Sequence, residues 1–220
     1  MKRVLFLGNS FTYYNDLPAV FAQLCEKMGM YVSVSSITKG GASLREFLNE
    51  ENQIAIQLQQ ELLKSWDVVV LQEQSFRPIG NSEAFLTAAE EIGSKFPASQ
   101  LFFYQTWAYR DCSQKLQEKE LSYAEMHEGL KRSYYEAATR CGGTVVPVGD
   151  LFCRIWMQGS PLDLYRQDDF HPSLMGTYLA ACSFVAEVFN INPHDLPDIE
   201  GIPTESASLL REVAAQGKIS

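Results

Sequence analysis

The chain has 220 residues, of which 46% are hydrophobic and 20% are charged, and this size and composition predict one globular domain over residues 1–220. Its formal net charge at pH 7 is −9, without a cluster of Lys and Arg, which argues against nucleic acid or an anionic membrane surface as a partner. The apolar runs are much shorter than the ~18 residues of a membrane-spanning helix, so we expect no membrane segment.

Strand-like and helical segments alternate along the chain. Short apolar runs predict strands at Val4–Leu7, Tyr31–Ile37, Asp67–Leu71, Leu101–Gln105 and Thr144–Val148. Apolar residues at helical spacing predict helices at Leu17–Met28, at Leu44 to about Leu63 with a break near Asn52, and at Glu83–Lys95, Glu118–Arg140, Leu174–Phe189 and Ser206–Gln216. Five such alternations predict an α/β fold, a three-layer α/β/α sandwich around a parallel sheet. Prolines precede the last helix, and we expect residues 203–220 to pack loosely.

Two polar loops follow the first and third predicted strands. In open parallel sheets, ligands bind beyond the carboxyl ends of the strands, where the strand order reverses. In a sheet of order 2-1-3-4-5, this point lies between the first and third strands. Gly8-Asn9-Ser10 and Gln72-Glu73-Gln74-Ser75 follow those strands, so we expect the two loops to lie side by side.

A serine and a distant carboxylate–imidazole pair predict nucleophilic chemistry. Ser10 directly follows the first strand, and Asp168 lies three residues before His171. A neutral imidazole can take the proton of a serine when a carboxylate fixes its other nitrogen. Asp169 is an alternative carboxylate for this role. Taken alone, Ser10 is also typical of a turn or a helix cap, and the two aspartates are typical of a solvated loop.

Acyl transfer to a serine also needs hydrogen-bond donors for an oxyanion. The backbone N–H of Ser10 is one candidate. Gly41 N–H, with Gly40 as the alternative, is the second, because glycine lets the backbone approach a ligand closely. A side-chain amide after the third strand, from Gln74 or Gln72, is the third.

These motifs, in this order, resemble the four sequence blocks of the SGNH (GDSL-like) hydrolases over Val4 to about Phe189. The resemblance implies a flavodoxin-like sandwich of order 2-1-3-4-5 and a Ser/His/Asp esterase that uses no metal or cofactor. It also implies that Ser10 is the nucleophile and first oxyanion donor and that Gly41 is the second donor. By the same resemblance, His171 is the base and Asp168 orients it.

The chain departs from the family pattern in two blocks. Asn9 stands where the first block usually has Asp, outside the three catalytic positions. Gln72-Glu73-Gln74-Ser75 stands where the third block usually reads Gly-x-Asn-Asp, which aligns Gln74 with the oxyanion asparagine. This variant is similar to a less characterised branch related to carbohydrate esterases.

Aromatic residues near the strand ends suggest the substrate. Tyr13 and Trp107 are predicted to contact it and to stack on a sugar ring, although both are equally compatible with packing. Arg77 and Arg110 could meet an acidic substituent or could be solvated surface residues. A long apolar lid is absent from the sequence, which favours short acyl groups. We therefore expect removal of O-acetyl groups from a carbohydrate.

The remaining residues suggest a reducing environment and leave one alternative function. Five scattered cysteines without a C-x-x-C motif argue against disulfides or zinc, so we expect a cytoplasmic protein. Val4–Leu7 is too short for the apolar core of a signal peptide. His127 and His194 are expected at the surface.

The alternative to an esterase is a non-catalytic flavodoxin-like module that binds a sugar, or a phosphate or FMN at Ser10 and Thr12.

Overall fold

Five parallel strands form a sheet at the centre of the protein, whose computed structural model describes residues 1–217. The strands are β1 (Lys2–Gly8), β2 (Val32–Thr38), β3 (Val68–Leu71), β4 (Gln100–Tyr104) and β5 (Thr144–Val146). Every neighbouring pair is parallel, and the order β2-β1-β3-β4-β5 confirms the predicted sheet. Leu7 pairs with Leu71, so β1 and β3 end at the same edge and bring their following loops together.

Helices cover both faces of this sheet, which confirms the predicted three layers. They are α1 (Ser10–Tyr13), α2 (Leu17–Lys27), α3 (Gln53–Glu61), α4 (Arg77–Gly80), α5 (Ser82–Ser94), α6 (Gln114–Gln117), α7 (Tyr123–Cys141), α8 (Val148–Met157), α9 (Leu174–Phe189) and α10 (Thr204–Gly217). Short 3₁₀ turns lie at Tyr14–Asp16, Leu44–Leu48 and Pro193–Asp195. Helices α2 and α9 lie on one face, α3, α5 and α7 lie on the other, and α10 packs outside α9.

The central strands are buried because both faces are covered. All four residues of β3 are at most 1% exposed, as expected for a continuous run of Val and Leu in a parallel sheet. Burial of such side chains is the main force that holds the three layers together. Within residues 1–217, no helix is long and apolar enough to cross a membrane.

Three predicted segments differ from the structure. The segment after Leu44 is a 3₁₀ turn followed by α3, whose first turn is capped by Asn52 near the predicted break. Helix α7 begins at Tyr123, not at Glu118, because Ser122 and Glu125 form a capping box there. Strand β5 ends at Val146 before Pro147, and α8 follows where no helix was predicted.

The last helix packs against the body of the protein. Helix α10 buries Ala207, Leu210, Val213 and Ala214 and contacts α9 and α8. Arg211 also forms an ion pair with Asp198 in the preceding loop. The described part of 203–220 is therefore not loosely packed, and residues 218–220 lie outside the described residues.

Candidate active site

Ser10 begins α1 at the end of β1, where the chain turns sharply. Asn9 is the N-cap residue of this short helix, and its side-chain oxygen accepts a hydrogen bond from Phe11 N–H. The Asn9 side-chain amide donates to the carbonyl of Ala42 at 2.9 Å. One buried side chain thus fixes the turn that presents Ser10 and ties it to the loop after β2.

Gln72 supports the same turn from β3. Its Oε1 accepts hydrogen bonds from Asn9 N–H at 2.8 Å and from the Thr12 hydroxyl at 3.0 Å, while its amide donates to the Glu73 carbonyl. A Cβ at Gly8 would clash with Gln72 Oε1 and Thr12 Oγ1, so this close approach requires glycine. Gln72 is fully buried, and the interpretation of Gln72 as an oxyanion donor is therefore wrong.

The structure brings Ser10, His171 and Asp168 together. Ser10 Oγ lies 2.9 Å from His171 Nε2, and His171 Nδ1 lies 2.7 Å from Asp168 Oδ2. Because a carboxylate oxygen only accepts, this pairing places the ring proton on Nδ1 and leaves Nε2 free to accept from the Ser10 hydroxyl. The arrangement can remove the serine proton during attack on an acyl group.

The loop that carries His171 is held from several sides. Residues Tyr165 and Pro172 form an antiparallel bridge, and Arg166 N–H donates to the His171 carbonyl at 2.9 Å. Asp168 Oδ1 accepts from His171 N–H at 3.0 Å, which closes a tight turn. Asp169 has a positive φ of 68° and forms an ion pair with Arg110, so it does not take the alternative role beside His171.

Aromatic rings pack around His171, and hydrogen bonds set the charge of Asp168. Tyr14 stacks on the imidazole of His171 with centroids 4.1 Å apart, and Phe170 lies 4.2 Å away at a tilt. Partial burial disfavours ionisation of Asp168, but the hydrogen bonds from the His171 ring and from the N–H groups of His171 and Phe170 outweigh it and lower the pKa of Asp168. The carboxylate is therefore ionised at neutral pH and keeps the imidazole in one orientation.

The loop after β2, which is tied to the turn of Ser10 through Asn9 and Ala42, carries a free N–H group at Gly41. Lys39 to Ala42 form a β-turn closed by a 3.0 Å hydrogen bond, and Gly41 occupies its third position with φ +68°, which favours glycine. Within residues 1–217, the N–H groups of Ser10 and Gly41 have no hydrogen-bond acceptor. Unpaired donors of this kind can bind a developing oxyanion.

Gln74 is oriented by its own loop. Its Oε1 accepts hydrogen bonds from Phe76 N–H at 3.0 Å and from Arg77 N–H at 3.2 Å. These two donors identify which end of the amide is the oxygen. The Nε2 group has no partner in the described part of the chain, so Gln74 keeps a donor available, unlike Gln72.

Glu73 is a structural residue of the site that sequence reasoning missed. Its side chain is 1% exposed and accepts hydrogen bonds from Leu44 N–H at 3.2 Å and from Gln74 N–H at 2.6 Å. Glu73 thereby joins the loop after β2 to the loop after β3. Burial raises the pKa of Glu73 to about 7, although the N–H donors and Arg77 oppose this. A carboxylate two residues after a fully apolar strand was the available clue.

Glu73 is expected to make stability depend on pH. Its pKa rises from the ordinary 4.5 in the unfolded chain to about 7 in the folded one, so the folded state binds the proton more tightly. Stability should then fall as pH rises through 7. Between pH 5.5 and 8.5 this loss amounts to about 2 kcal/mol, and Glu73→Gln should lack it. Urea unfolding of wild type and variant at both pH values measures the difference.

The exposed Glu91→Gln on α5 is the control for this experiment and should follow the wild type. If Glu73→Gln and the wild type lose the same stability between the two pH values, Glu73 does not titrate in this range.

The two predicted substrate contacts have different outcomes. Trp107 is fully buried between Phe152 and Phe11, with centroids 4.1 and 4.8 Å away, so its prediction as a substrate contact is wrong. Its Nε1 donates to the Phe170 carbonyl at 3.0 Å, and it therefore supports the loop of His171. Tyr13 is 44% exposed and its hydroxyl lies against Gly40, and its role as a substrate contact stays a prediction.

The histidines and cysteines outside the site lie in separate parts of the structure. His127 is 7% exposed and lies 3.6 Å from Asp150, so its prediction as a surface residue is wrong, whereas His194 is exposed. Burial lowers the pKa of His127 in spite of Asp150. Among residues 1–217, no group of three or more His, Cys, Asp and Glu side chains is placed to hold a metal ion. All five cysteines are free within this part of the chain.

Comparison with known proteins gives matches only among solved structures, since no protein-family model and no curated protein matches the sequence. A protein from Slackia heliotrinireducens described as an SGNH hydrolase is 31% identical, with a TM-score of 0.75 over 83% of this chain and 96% of its own. A DUF4886 family protein from Bacteroides uniformis is 21% identical and has a TM-score of 0.82. The match covers 98% of this chain and 93% of that protein. The acetylxylan esterase Axe2 from Geobacillus stearothermophilus is 14% identical and has a TM-score of 0.63. The match covers 84% of this chain and 92% of that protein. The last two show a shared fold.

Proposed function

The chain belongs to the SGNH hydrolases, which are serine hydrolases, and from this premise we propose that it cleaves short-chain acyl esters through Ser10, His171 and Asp168. The observation that carries the proposal is the continuous path from Ser10 Oγ to His171 Nε2 at 2.9 Å and from His171 Nδ1 to Asp168 Oδ2 at 2.7 Å. A flavodoxin-like binding module would have no use for this path.

The first half of the reaction forms an acyl-enzyme. Ser10 Oγ attacks the carbonyl carbon while His171 Nε2 takes the hydroxyl proton, and the carbonyl oxygen becomes an oxyanion. The N–H groups of Ser10 and Gly41 and the amide of Gln74 donate to that oxygen. The imidazolium then gives its proton to the leaving alcohol as the ester bond breaks. Asp168 stabilises the imidazolium without taking its proton.

The second half releases the acid. A water molecule gives a proton to His171 and attacks the carbonyl carbon of the acyl-enzyme, and the same three donors hold the second oxyanion. The bond to Ser10 Oγ breaks, and Ser10 recovers its proton from His171. The protein returns to its starting state, and the products are one alcohol and one carboxylic acid.

Gln74→Ala is expected to lower kcat by about 10²-fold, with little change in KM, because one of three oxyanion donors is lost. The variant should therefore retain more activity than one without the Ser10 hydroxyl. Steady-state kinetics on an acetyl ester measure both constants. A loss as large as that of Ser10→Ala would contradict this role. The control is Gln60→Ala, at an exposed position of α3.

The substrate class follows from what surrounds Ser10. Exposed Tyr13 beside the Gly40 loop can stack on a sugar ring. The fold is shared with a protein described as an acetylxylan esterase. These features support O-acetyl groups on a carbohydrate as the substrate. The five free thiols support a cytoplasmic location.

Acetate release from acetylated xylo-oligosaccharides and from glucose pentaacetate tests this proposal. We expect acetate from both, and a kcat/KM for 4-nitrophenyl acetate about 10²-fold above that for 4-nitrophenyl octanoate. A preference for the longer acyl chain, or no turnover of any ester by folded protein, would overturn it.

A further inference from the structure

Three cations lie beside the site without acidic partners. Arg77, Lys115 and Lys119 form no ion pair within 4.0 Å inside the described residues, although the chain carries nine more acidic than basic groups. Arg110 is different, because Asp163 and Asp169 both pair with it. Of the two arginines that the sequence suggested for an acidic substituent, only Arg77 remains available.

Aromatic rings connect two of these cations to the catalytic histidine. Lys115 Nζ lies 3.6 Å from the centre of the Phe170 ring, and that ring is 4.2 Å from the His171 imidazole. The ring of Tyr109 lies 5.0 Å from that of Phe170, and together they form an aromatic wall. A lysine held over a ring face keeps its N–H donors for another partner. Lys115 is thus placed near the reacting groups and is free to bind an anion.

The wall then leads into a groove. Phe76 lies 5.1 Å from Tyr109, and Lys119 Nζ lies 5.7 Å from the Phe76 ring. The groove has a volume of about 500 Å³ and is lined by Gln74, Phe76, Arg77, Ile79, Lys119 and Leu121, together with Gly80 and Asn81. It therefore begins at Gln74, the residue that supplies the third oxyanion donor in the proposed reaction.

The charges in this groove are positive. Arg77 and Lys119 line it from two separate segments, the start of α4 and the turn after α6. The acidic side chain that acts on Arg77 is the buried Glu73, which already accepts hydrogen bonds from two backbone N–H groups. A larger cleft, of about 610 Å³, lies at the opposite ends of β4 and β5 and does not reach Ser10.

We propose that this groove is a subsite for an anionic group on the alcohol part of the ester, such as the carboxylate or phosphate of an acidic sugar. The inference rests on the proposed esterase function and adds the charge of its substrate. Arg77 and Lys119 bind the anion, Phe76 contacts the sugar, and Lys115 attracts the charge towards His171. Each exposed ion pair is worth up to about fivefold in binding.

Competing esters of different charge test the subsite. Acetylated glucuronic acid and acetylated glucose 6-phosphate carry the anion, and acetylated glucose is the neutral reference. We expect kcat/KM to be about tenfold higher for at least one anionic ester at 50 mM salt, and the two anionic esters separate a carboxylate from a phosphate. At 1 M salt the ratio should fall towards one, because screening is then effective over about 3 Å.

Variants assign the preference to the groove. In Arg77→Gln/Lys119→Gln the ratio of anionic to neutral ester should fall to about one, and each single variant should lie between. Lys95→Gln is the charge-matched control for each single variant, since exposed Lys95 lies about 20 Å away at the other end of α5. Because both esters are measured on the same sample, the ratio of their kcat/KM values does not change when part of the protein is unfolded.

Two results would overturn the subsite while the proposed function stands. One is equal kcat/KM for neutral and anionic esters in the wild type, and the other is a preference that survives in the double variant. A folded protein that hydrolyses none of the three esters would overturn the proposed function and, with it, the subsite.

Discussion

Ser10→Ala is expected to lower kcat for acetyl ester hydrolysis by about 10⁴- to 10⁶-fold, while the substrate still binds. In the proposed reaction the hydroxyl oxygen forms the new covalent bond, while His171 Nε2, 2.9 Å away, takes the proton and does not attack. The proposed oxyanion donors and the proposed subsite remain in the variant, so a small residual rate is expected. Initial rates at saturating substrate measure the loss.

Ser36→Ala is the matched control for Ser10→Ala. Ser36 is exposed on β2 and has no contact with the site, so this variant should keep wild-type activity. A Ser10→Ala protein that keeps more than about one-tenth of the wild-type kcat would contradict the assignment of Ser10 as the nucleophile.

Asp168→Asn is expected to lower kcat by about 10³- to 10⁴-fold with little change in KM. The carboxylate accepts from His171 Nδ1 at 2.7 Å and so places the ring proton on that nitrogen. An amide in its place can instead donate to Nδ1, which leaves the proton on Nε2, where it blocks acceptance from Ser10. The imidazolium that forms during the reaction also loses its negative partner. Pre-steady-state and steady-state rates on the same ester test this prediction.

Asp169→Asn separates this role from a general loss of charge in the loop. Asp169 pairs with Arg110 rather than with His171, and asparagine tolerates its positive φ of 68°. We expect its kcat to stay within about threefold of the wild type. Equal losses in Asp168→Asn and Asp169→Asn would mean that the loop needs negative charge and not one oriented carboxylate.

The sheet can be predicted from the sequence because its strands are local patterns. Val68–Leu71 is a short continuous apolar run, as expected of a strand covered on both faces, and helices separate each strand from the next. Right-handed crossovers leave few arrangements of parallel strands, and the resemblance to the SGNH hydrolases implied the order 2-1-3-4-5 among them. The helix Val148–Met157 was not predicted because Val148, directly after Pro147, continues the apolar pattern of the strand.

The residues of the candidate site could be predicted where a suitable residue type stands at a strand end or in a turn. Ser10, Gly41 and His171 each combine a reactive or permissive residue type with a strand end or a turn. Trp107 was misjudged because position after a strand does not fix the direction of a side chain, and here the segment turns inward between Phe11 and Phe152. Its burial depends on helix α8, which the sequence pattern did not reveal.

The central claim is that Ser10 is an activated nucleophile, and a fluorophosphonate probe tests it most directly. The intact mass of wild type, Ser10→Ala and His171→Ala would be measured after equal exposure to the probe. We predict one adduct on the wild type, mapped to Ser10, and none on either variant, because the serine is reactive only when His171 takes its proton. A folded wild type without an adduct, or an adduct that persists in Ser10→Ala, would contradict the account.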